Sequence, residues 1–149
     1  MDYILDTNII LTYIRQSKYT NLIDRIYNPL GKENTAIVSV VSVGEIKSLA
    51  IQNKWGNRKL AQLEVLLNQF AIADINVEAI VEKYAEIDAF SQGKLPYKPS
   101  FFTARNMGKN DLWIAATAYV LNAQLLTTDK DFDHLKDEFL SFERIQLPQ

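Results

Sequence analysis

The sequence predicts an α/β fold, a three-layer α/β/α sandwich with a small central parallel sheet. Short apolar runs rich in β-branched residues alternate along the chain with segments whose apolar residues recur at helical spacing. These runs lack the polar alternation of half-exposed strands, which is typical of parallel strands buried on both faces. No linker divides the 149 residues. We therefore expect one domain over residues 1–149, with right-handed crossovers between strands.

The first half of the chain contains two predicted strands and four predicted helices. The opening run DYILD is followed at once by a helical pattern that includes Ile10, Tyr13 and Ile14. The run TAIVSVV is rich in β-branched residues, and turn residues around Pro29 separate it from the preceding helix. The strands are expected at residues 2–6 and 35–41, and the helices at residues 8–15, 21–27, 42–55 and 58–70.

The second half of the chain continues the alternation. A short strand near residues 71–75 precedes a long amphipathic helix over residues 77–90. The segment 110–122 is apolar nearly all round, which predicts a central, buried helix. We expect a strand in the run QLLTT, residues 124–128, and an edge strand in SFERIQL, residues 141–147.

The composition excludes several classes of protein. Cysteine is absent, which removes thiolate catalysis and thiolate metal sites and fits a reducing compartment. No apolar run approaches the roughly 18 residues of a membrane span, and the chain starts directly in a strand. We expect a soluble, cytoplasmic protein that makes no membrane contact. The formal net charge is −2, so any binding of nucleic acid must depend on a local basic surface.

Four acidic residues lie at the boundaries of predicted elements. Asp6 ends the first strand, and Asp129 follows the run QLLTT. Glu45 lies in the first turn of the helix after TAIVSVV, and Asp111 opens the buried helix. Taken singly, each acid has a structural explanation, because carboxylates favour the N-termini of helices.

Taken together, the four acids predict a metal site. The carboxyl ends of parallel strands meet at one edge of a sheet, so Asp6 and Asp129 are expected to lie close together. Two carboxylates about 4 Å apart repel by roughly 4 kcal/mol at an effective dielectric constant near 20. A hard divalent cation such as Mg²⁺, or alternatively Mn²⁺, relieves this repulsion and leaves open positions for a substrate phosphate.

Four segments in this order resemble the successive motifs of the PIN-domain ribonucleases. They are LDTNIIL at residues 5–11, SVVSVGEI at 39–46, GKNDLWIAATA at 108–118 and LLTTDKDF at 125–132. The similarity covers nearly the whole chain, and it is greatest to the VapC-type toxins of toxin-antitoxin pairs. The order and spacing of the four segments are more specific than any one of them.

The resemblance implies roles for individual residues. The acidic metal site would comprise Asp6, Glu45, Asp111 and Asp129, with Asp6 and Asp111 as the most direct ligands. Asn8 would orient the site by hydrogen bonding, and Thr127 matches the hydroxyl residue two positions before the last acid of the family. Many relatives carry Asn where this chain has Thr128. Asp131 is an alternative to Asp129, although we expect it to cap the short helix in DFDHL.

The same resemblance implies an activity and partners. The chain would be a Mg²⁺-dependent endoribonuclease that cuts RNA, with tRNA as one candidate, to leave 5′-phosphate and 3′-hydroxyl ends. It would form a homodimer and bind an antitoxin protein. Two alternatives stay open, a housekeeping RNA-processing nuclease and a catalytically silent module that binds RNA or a partner. Phosphotransfer through an aspartyl intermediate is disfavoured, because Asn8 stands where those enzymes carry a second Asp.

A basic segment precedes Asp111. Residues 93–109 contain no acid, and their cations are Lys94, Lys98, Arg105 and Lys109. Cations contact phosphates and aromatic faces stack on unpaired bases, so the segment is a candidate RNA-binding loop. The alternative is that its aromatic residues, Tyr97, Phe101 and Phe102, only anchor the loop to the core. A second basic group, Lys47, Lys54, Arg58 and Lys59, is interpreted as a solvated helix surface. His134 has no neighbour in the sequence that indicates catalysis.

Overall fold

A parallel sheet lies between two layers of helices. The structure is a computed structural model that describes residues 1–16 and 18–147. In this part of the chain the sheet has the strand order β3-β2-β1-β4 and comprises β1 (Asp2–Leu5), β2 (Thr35–Ser39), β3 (Ala71–Ala73) and β4 (Gln124–Leu126). The helices are α1 (Thr7–Ile14), α2 (Lys18–Ile26), α3 (Val40–Gln52), α4 (Asn57–Leu67), α5 (Glu78–Ser91), α6 (Lys109–Val120) and a 3₁₀ helix (Lys130–Leu135).

The two faces of the sheet bury separate apolar cores. Side chains alternate between faces along a strand. Ile4 and Leu125 therefore face the core formed with α5 and α6. Their neighbours Leu5 and Leu126 face the opposite core, formed with α1, α2 and α4. The predicted three-layer α/β/α architecture is confirmed.

The order of the strands places a topological switch point beside β1. The chain moves from β1 to β2 and β3 in one direction, and then crosses the sheet to add β4 on the other side of β1. All three strand pairs are parallel. In open α/β sheets ligands bind at the carboxyl ends of the strands at such a switch point. Here these ends lead into Asp6, after β1, and Thr127, after β4.

The predicted edge strand over residues 141–147 is wrong. Those residues are not part of the sheet, although the Ile145 amide donates to the Thr127 carbonyl at 2.8 Å. Phe142 and Ile145 are buried, each against a different core. The alternation that imitates a strand arises because an irregular segment anchors itself with these two side chains.

The second strand ends earlier than its β-branched residues indicate. Ser39 caps α3, and its hydroxyl accepts a hydrogen bond from the Val41 amide at 3.2 Å. Helix α3 therefore begins at Val40, and Glu45 lies in its second turn instead of the first. No helix within residues 1–16 and 18–147 is both long enough and apolar enough to cross a membrane.

Candidate metal centre

Asp6 is held at the end of β1 by hydrogen bonds to both of its carboxylate oxygens. Oδ1 accepts from the Thr7 amide at 2.8 Å, and Oδ2 accepts from the Thr127 hydroxyl at 2.7 Å. The residue is only 4% exposed. Burial raises the pKa of Asp6, against the effect of these two hydrogen bonds, and the negative charges of Asp129 and Glu45 raise it further. The Asp6 carboxylate therefore has a fixed orientation and an unfavourable charge.

Three further carboxylates approach one another beside the sheet. One oxygen each of Asp111, Asp129 and Asp131 lies within 4.8 Å of the other two. Asp111 comes from the first turn of α6, and the other two come from the start of the 3₁₀ helix. Asp129 is the capping residue of that helix, since its Oδ1 accepts from the Asp131 amide at 2.9 Å. The prediction that Asp131 caps this helix is wrong, because the helix begins after Asp129 and leaves the Asp131 side chain beside Asp111.

The negative charges of the other acids in the site act most strongly on Asp111. Its pKa is raised to about 7, first by burial and then by the negative charges of the other acids of the site, which are Asp6, Asp129, Asp131 and Glu45. Three separate segments of the chain thus present negative charge to one side chain. In the absence of a cation this arrangement opposes ionisation of Asp111.

Glu45 is joined to the site through Thr7, a residue that sequence analysis did not single out. The Thr7 hydroxyl lies 3.0 Å from a carboxylate oxygen of Glu45 and 3.0 Å from the Ser42 hydroxyl. Thr7 and Ser42 are both buried. Since Thr7 has one hydroxyl hydrogen, donation to the charged Glu45 leaves its oxygen free to accept from Ser42. The only signal in the sequence is the position of Thr7 directly after Asp6.

The remaining supporting residues occupy different environments. Thr127 is fully buried, and its hydroxyl also accepts from the Asp129 amide at 2.9 Å. It therefore links Asp6 to the segment that carries Asp129. Asn8 is exposed, and within the described residues its side chain makes no hydrogen bond. The structure thus places Thr7, and not Asn8, in contact with an acid of the site.

The donor set fits a hard divalent cation. The carboxylates are accompanied by hydroxyl groups, and Mg²⁺ and Mn²⁺ favour oxygen ligands. A bound cation would offset the charge that raises the pKa of Asp111. Asp111, Asp129 and Asp131 have the mutual distances needed to hold such an ion, and Asp6 faces the same charge cluster.

The basic loop, defined as residues 93–108 between α5 and α6 together with Lys109, divides into anchored and free side chains. Phe102 packs against Phe90 with ring centroids 5.4 Å apart, whereas Phe101 is 97% exposed. Lys98 pairs with Glu138 at 2.8 Å. The other three cations of the loop, Lys94, Arg105 and Lys109, are exposed. The anchoring interpretation therefore applies to Phe102, and the exposed cations remain candidates for contact with RNA.

The second basic group lies on the surface of α3, of α4 and of the turn between them. Lys47, Lys54 and Arg58 are exposed. The Lys59 ammonium lies over the Trp55 ring, 4.1 Å from its centroid. This contact is a cation–π interaction on a helix surface, and it agrees with the solvated arrangement expected for the group.

Comparison with protein families identifies the fold independently of the site. The model of the family described as PIN domain matches residues 3–138. This match spans all four strands and all six α-helices of the described residues.

Individual relatives match over almost the full chain. Ribonuclease VapC2 of Rickettsia felis is 28% identical over 144 residues, which cover 94% of this chain and 96% of the relative. The structure of VapBC2 from Rickettsia felis, bound to a DNA fragment from its promoter, superposes with a TM-score of 0.76 and 26% identity over 96% of this chain and 98% of that chain. VapBC-1 from nontypeable Haemophilus influenzae gives a TM-score of 0.70 and 27% identity over 96% and 97% of the two chains.

Proposed function

The chain belongs to the PIN domain family, and we propose that it is a divalent-metal-dependent endoribonuclease that hydrolyses RNA phosphodiester bonds. The observation that carries this proposal is the convergence of Asp6, Glu45, Asp111 and Asp129 at the switch point of the sheet. Asp131 joins the cluster. Similarity to Ribonuclease VapC2 supports RNA as the substrate.

Each residue of the site has a separate role in the proposed hydrolysis. Asp6 and Asp111 would hold the ion, Asp129 and Asp131 would lie beside it, and Thr127 fixes the orientation of Asp6. A bound ion would supply Lewis-acid chemistry that polarises the scissile phosphate and lowers the pKa of the attacking water. Glu45 or Asp111 would orient that water and accept its proton. In this hydrolysis the bond from the water oxygen to phosphorus forms as the bond to the 3′ oxygen breaks, and the 3′ oxygen takes up a proton from solvent, which yields a 5′-phosphate and a 3′-hydroxyl.

The basic loop supplies the contacts to RNA. Lys94, Arg105 and Lys109 are exposed and lie in the segment that leads directly into α6 and Asp111. Phe101 and Tyr97 are 97% and 71% exposed, which leaves their rings free to stack on unpaired bases. Lys98 contributes less, because Glu138 offsets its charge. The substrate class is therefore RNA with single-stranded regions, and tRNA is one candidate.

We also propose a toxin role and an antitoxin partner for this chain. The VapBC assemblies among its structural relatives support this proposal. In this chain an open groove of about 650 Å³ lies between α1, α2 and α4, and its apolar lining includes Tyr13, Ile14, Leu30, Ala61, Val65 and Leu66. Val65 is 63% exposed. We assign this groove to an apolar segment of the antitoxin.

Cleavage of a panel of structured RNAs tests the activity. The wild-type protein is assayed with Mg²⁺, with EDTA, and as the variant Asp6→Asn, which keeps the size of the side chain and removes its charge. We expect cleavage in Mg²⁺ alone and products with 5′-phosphate ends. Equal cleavage under all three conditions would refute a metal-dependent site. Circular dichroism of Asp6→Asn controls for folding.

Expression in a bacterial host tests the toxin role separately. We expect growth arrest that Asp6→Asn relieves and that co-expression of a small adjacent reading frame suppresses. Cleavage in vitro without growth arrest would instead indicate a housekeeping RNA-processing nuclease. Binding of RNA that neither metal nor Asp6→Asn affects would indicate a catalytically silent module.

A further inference from the structure

The most informative contact outside the metal centre joins His134 to Ser91. The imidazole Nε2 lies 2.7 Å from the Ser91 hydroxyl. Ser91 is the last residue of α5 and is fully buried, whereas His134 lies in the 3₁₀ helix, 43 residues later in the chain. A buried hydroxyl needs a partner, so this hydrogen bond connects two elements that are distant in the sequence.

The basic loop also contacts Ser91. The Arg105 amide donates to the Ser91 carbonyl at 2.7 Å, and the Ser91 hydroxyl contacts the Met107 sulfur at 3.4 Å. The Phe102 ring meets the His134 ring edge to face, with centroids 5.1 Å apart. Three residues of the loop, Phe102, Arg105 and Met107, therefore gather around the Ser91–His134 pair.

His134 lies in the same short helix as an acid of the metal centre. The 3₁₀ helix that carries His134 begins directly after Asp129 and includes Asp131. Both acids lie within the carboxylate cluster around Asp111. His134 thus bridges the helix that presents acids and the loop that presents cations.

We propose that His134 is a positioning residue that sets the placement of the basic loop relative to the metal centre, and so determines the affinity for RNA. This inference rests on the proposed function. It assigns His134 no contact with the reacting atoms. The hydrogen bond to Ser91 keeps Arg105 and its neighbours at a fixed distance from Asp129 and Asp131.

The imidazole suits this role because its Nε2 satisfies the buried Ser91 hydroxyl. An apolar side chain of similar size would leave that hydroxyl with its contact to the Met107 sulfur, which is a weak acceptor.

Two substitutions separate the hydrogen bond from the packing of the ring. His134→Phe keeps an aromatic ring and removes the bond to Ser91, whereas the amide nitrogen of His134→Gln reaches nearly the same position as Nε2. Asn34→Ala serves as the matched control, because it removes a hydrogen bond to the Asn28 carbonyl just before β2, at the opposite end of the strands from the metal centre. Each variant is assayed for KM and kcat on RNA, for Mn²⁺ affinity by calorimetry, and for hydrogen exchange at the Arg105 amide.

We expect His134→Phe to raise KM about fivefold, as the loss of one net hydrogen bond predicts. Values of kcat and Mn²⁺ affinity should stay within about twofold of wild type, because the carboxylates are untouched. The Arg105 amide should exchange faster. His134→Gln should restore both KM and exchange, and Asn34→Ala should change neither. Where His134→Phe fails to fold, Ser91→Ala removes the same bond from the other side with the same expected result.

Several outcomes would overturn the inference. These are unchanged KM and exchange in His134→Phe and Ser91→Ala, failure of Gln to restore them, or a loss confined to kcat. Absence of cleavage by the wild-type protein would refute the proposed function instead. Fluorescence anisotropy with labelled RNA would then decide the inference, which requires weaker binding by His134→Phe than by wild type and fails if the two bind equally or neither binds.

Discussion

The acidic edge of the sheet, defined as the cluster of Asp6, Glu45, Asp111, Asp129 and Asp131, differs from the basic loop in how its charged side chains are held. Asp6 directly follows β1 and Asp129 lies three residues after β4, and hydrogen bonds to Thr7, Thr127 or a helix N-terminus orient them. Within the part of the chain that the structure describes, the charged side chains of the basic loop have no such hydrogen bonds, except for Lys98 in its pair with Glu138. The rigid region suits metal coordination, which requires fixed geometry, and the looser region suits a flexible phosphate backbone.

This difference predicts separable effects on kinetics. Changes at the acidic edge should reduce metal affinity and kcat, because the carboxylates act on the reacting phosphate through the ion. Changes in the basic loop should act on KM and on its salt dependence, since exposed cations contribute by attraction to phosphates. A substitution at the acidic edge that changed only KM, or one in the basic loop that changed kcat or metal affinity, would contradict this distinction.

Asp111→Asn should produce the largest effect. We expect loss of cleavage by at least about 100-fold, because the variant removes a metal ligand. At the same time the metal-free variant should be more stable than wild type at pH 8, by about 1 to 2 kcal/mol after allowance for partial exposure. Urea unfolding in EDTA measures the second effect, and equal or lower stability of the variant would contradict it.

The pH dependence of that gain follows from the raised pKa of Asp111, about 7 in the folded chain against an ordinary value of 3.8. The folded chain holds a proton that the unfolded chain releases between these values, so the contribution is complete below about pH 4 and is lost as the pH rises through 7. Asp111→Asn lacks this titration. The two proteins should therefore be nearly equal in stability at pH 4 and diverge towards pH 8.

Thr7→Val should have the next largest effect. The change leaves Ser42 without its partner and removes the hydrogen bond to Glu45. We expect destabilisation by about 1 to 3 kcal/mol and Mn²⁺ binding weaker by about tenfold. Thr7→Ser keeps the hydroxyl and should recover most of the metal affinity, as measured by calorimetry. Similar affinities for the Val and Ser variants would show that Thr7 acts through packing alone.

Substitutions in the basic loop should be smaller and should differ from one another. Lys94→Ala and Lys109→Ala should each raise KM about threefold and reduce the salt dependence of RNA binding. Lys98→Ala should change KM less, because Glu138 already offsets that charge. Steady-state kinetics at two salt concentrations provide the measurement. A larger effect at Lys98 than at Lys94 would show that the pair with Glu138 opens when RNA binds.

Glu138→Gln should produce the smallest change in stability. Its pair with Lys98 joins side chains that are 48% and 35% exposed, and exposed pairs contribute below about 1 kcal/mol. We expect a change within about 0.5 kcal/mol in urea unfolding, and a slightly lower KM for RNA because Lys98 is freed. A marked loss of stability would place Lys98 with the rigid part of the molecule.

The architecture could be predicted because strands and helices leave local patterns. The convergence of Asp6 and Asp129 followed from one topological rule, that parallel strands end at the same edge. The errors have local causes too. Val40 and Val41 favour a strand, yet the cap at Ser39 decides the boundary, and the alternation of residues 141–147 comes from two buried anchors.

The contacts that support the site could not be predicted. Thr7 and Glu45 are 38 residues apart, and Ser91 and His134 are 43 apart. Such hydrogen bonds depend on how helices pack on the sheet, and no periodicity in the sequence records that packing. The pairing of Lys98 with Glu138 has the same origin. Residue type indicated the chemistry of the site, and tertiary packing determined which hydroxyls and counter-ions serve it.

The central claim is that the carboxylates of Asp6 and Asp111 share a divalent ion. A crystal of the protein soaked in Mn²⁺ tests it most directly, since anomalous scattering locates the ion without reference to activity. We predict an anomalous peak between Asp6 and Asp111, within about 2.0 to 2.4 Å of carboxylate oxygens, that is lost in Asp6→Asn. A saturating soak that leaves this position empty, or places the ion only at the exposed Asp131, would contradict the claim.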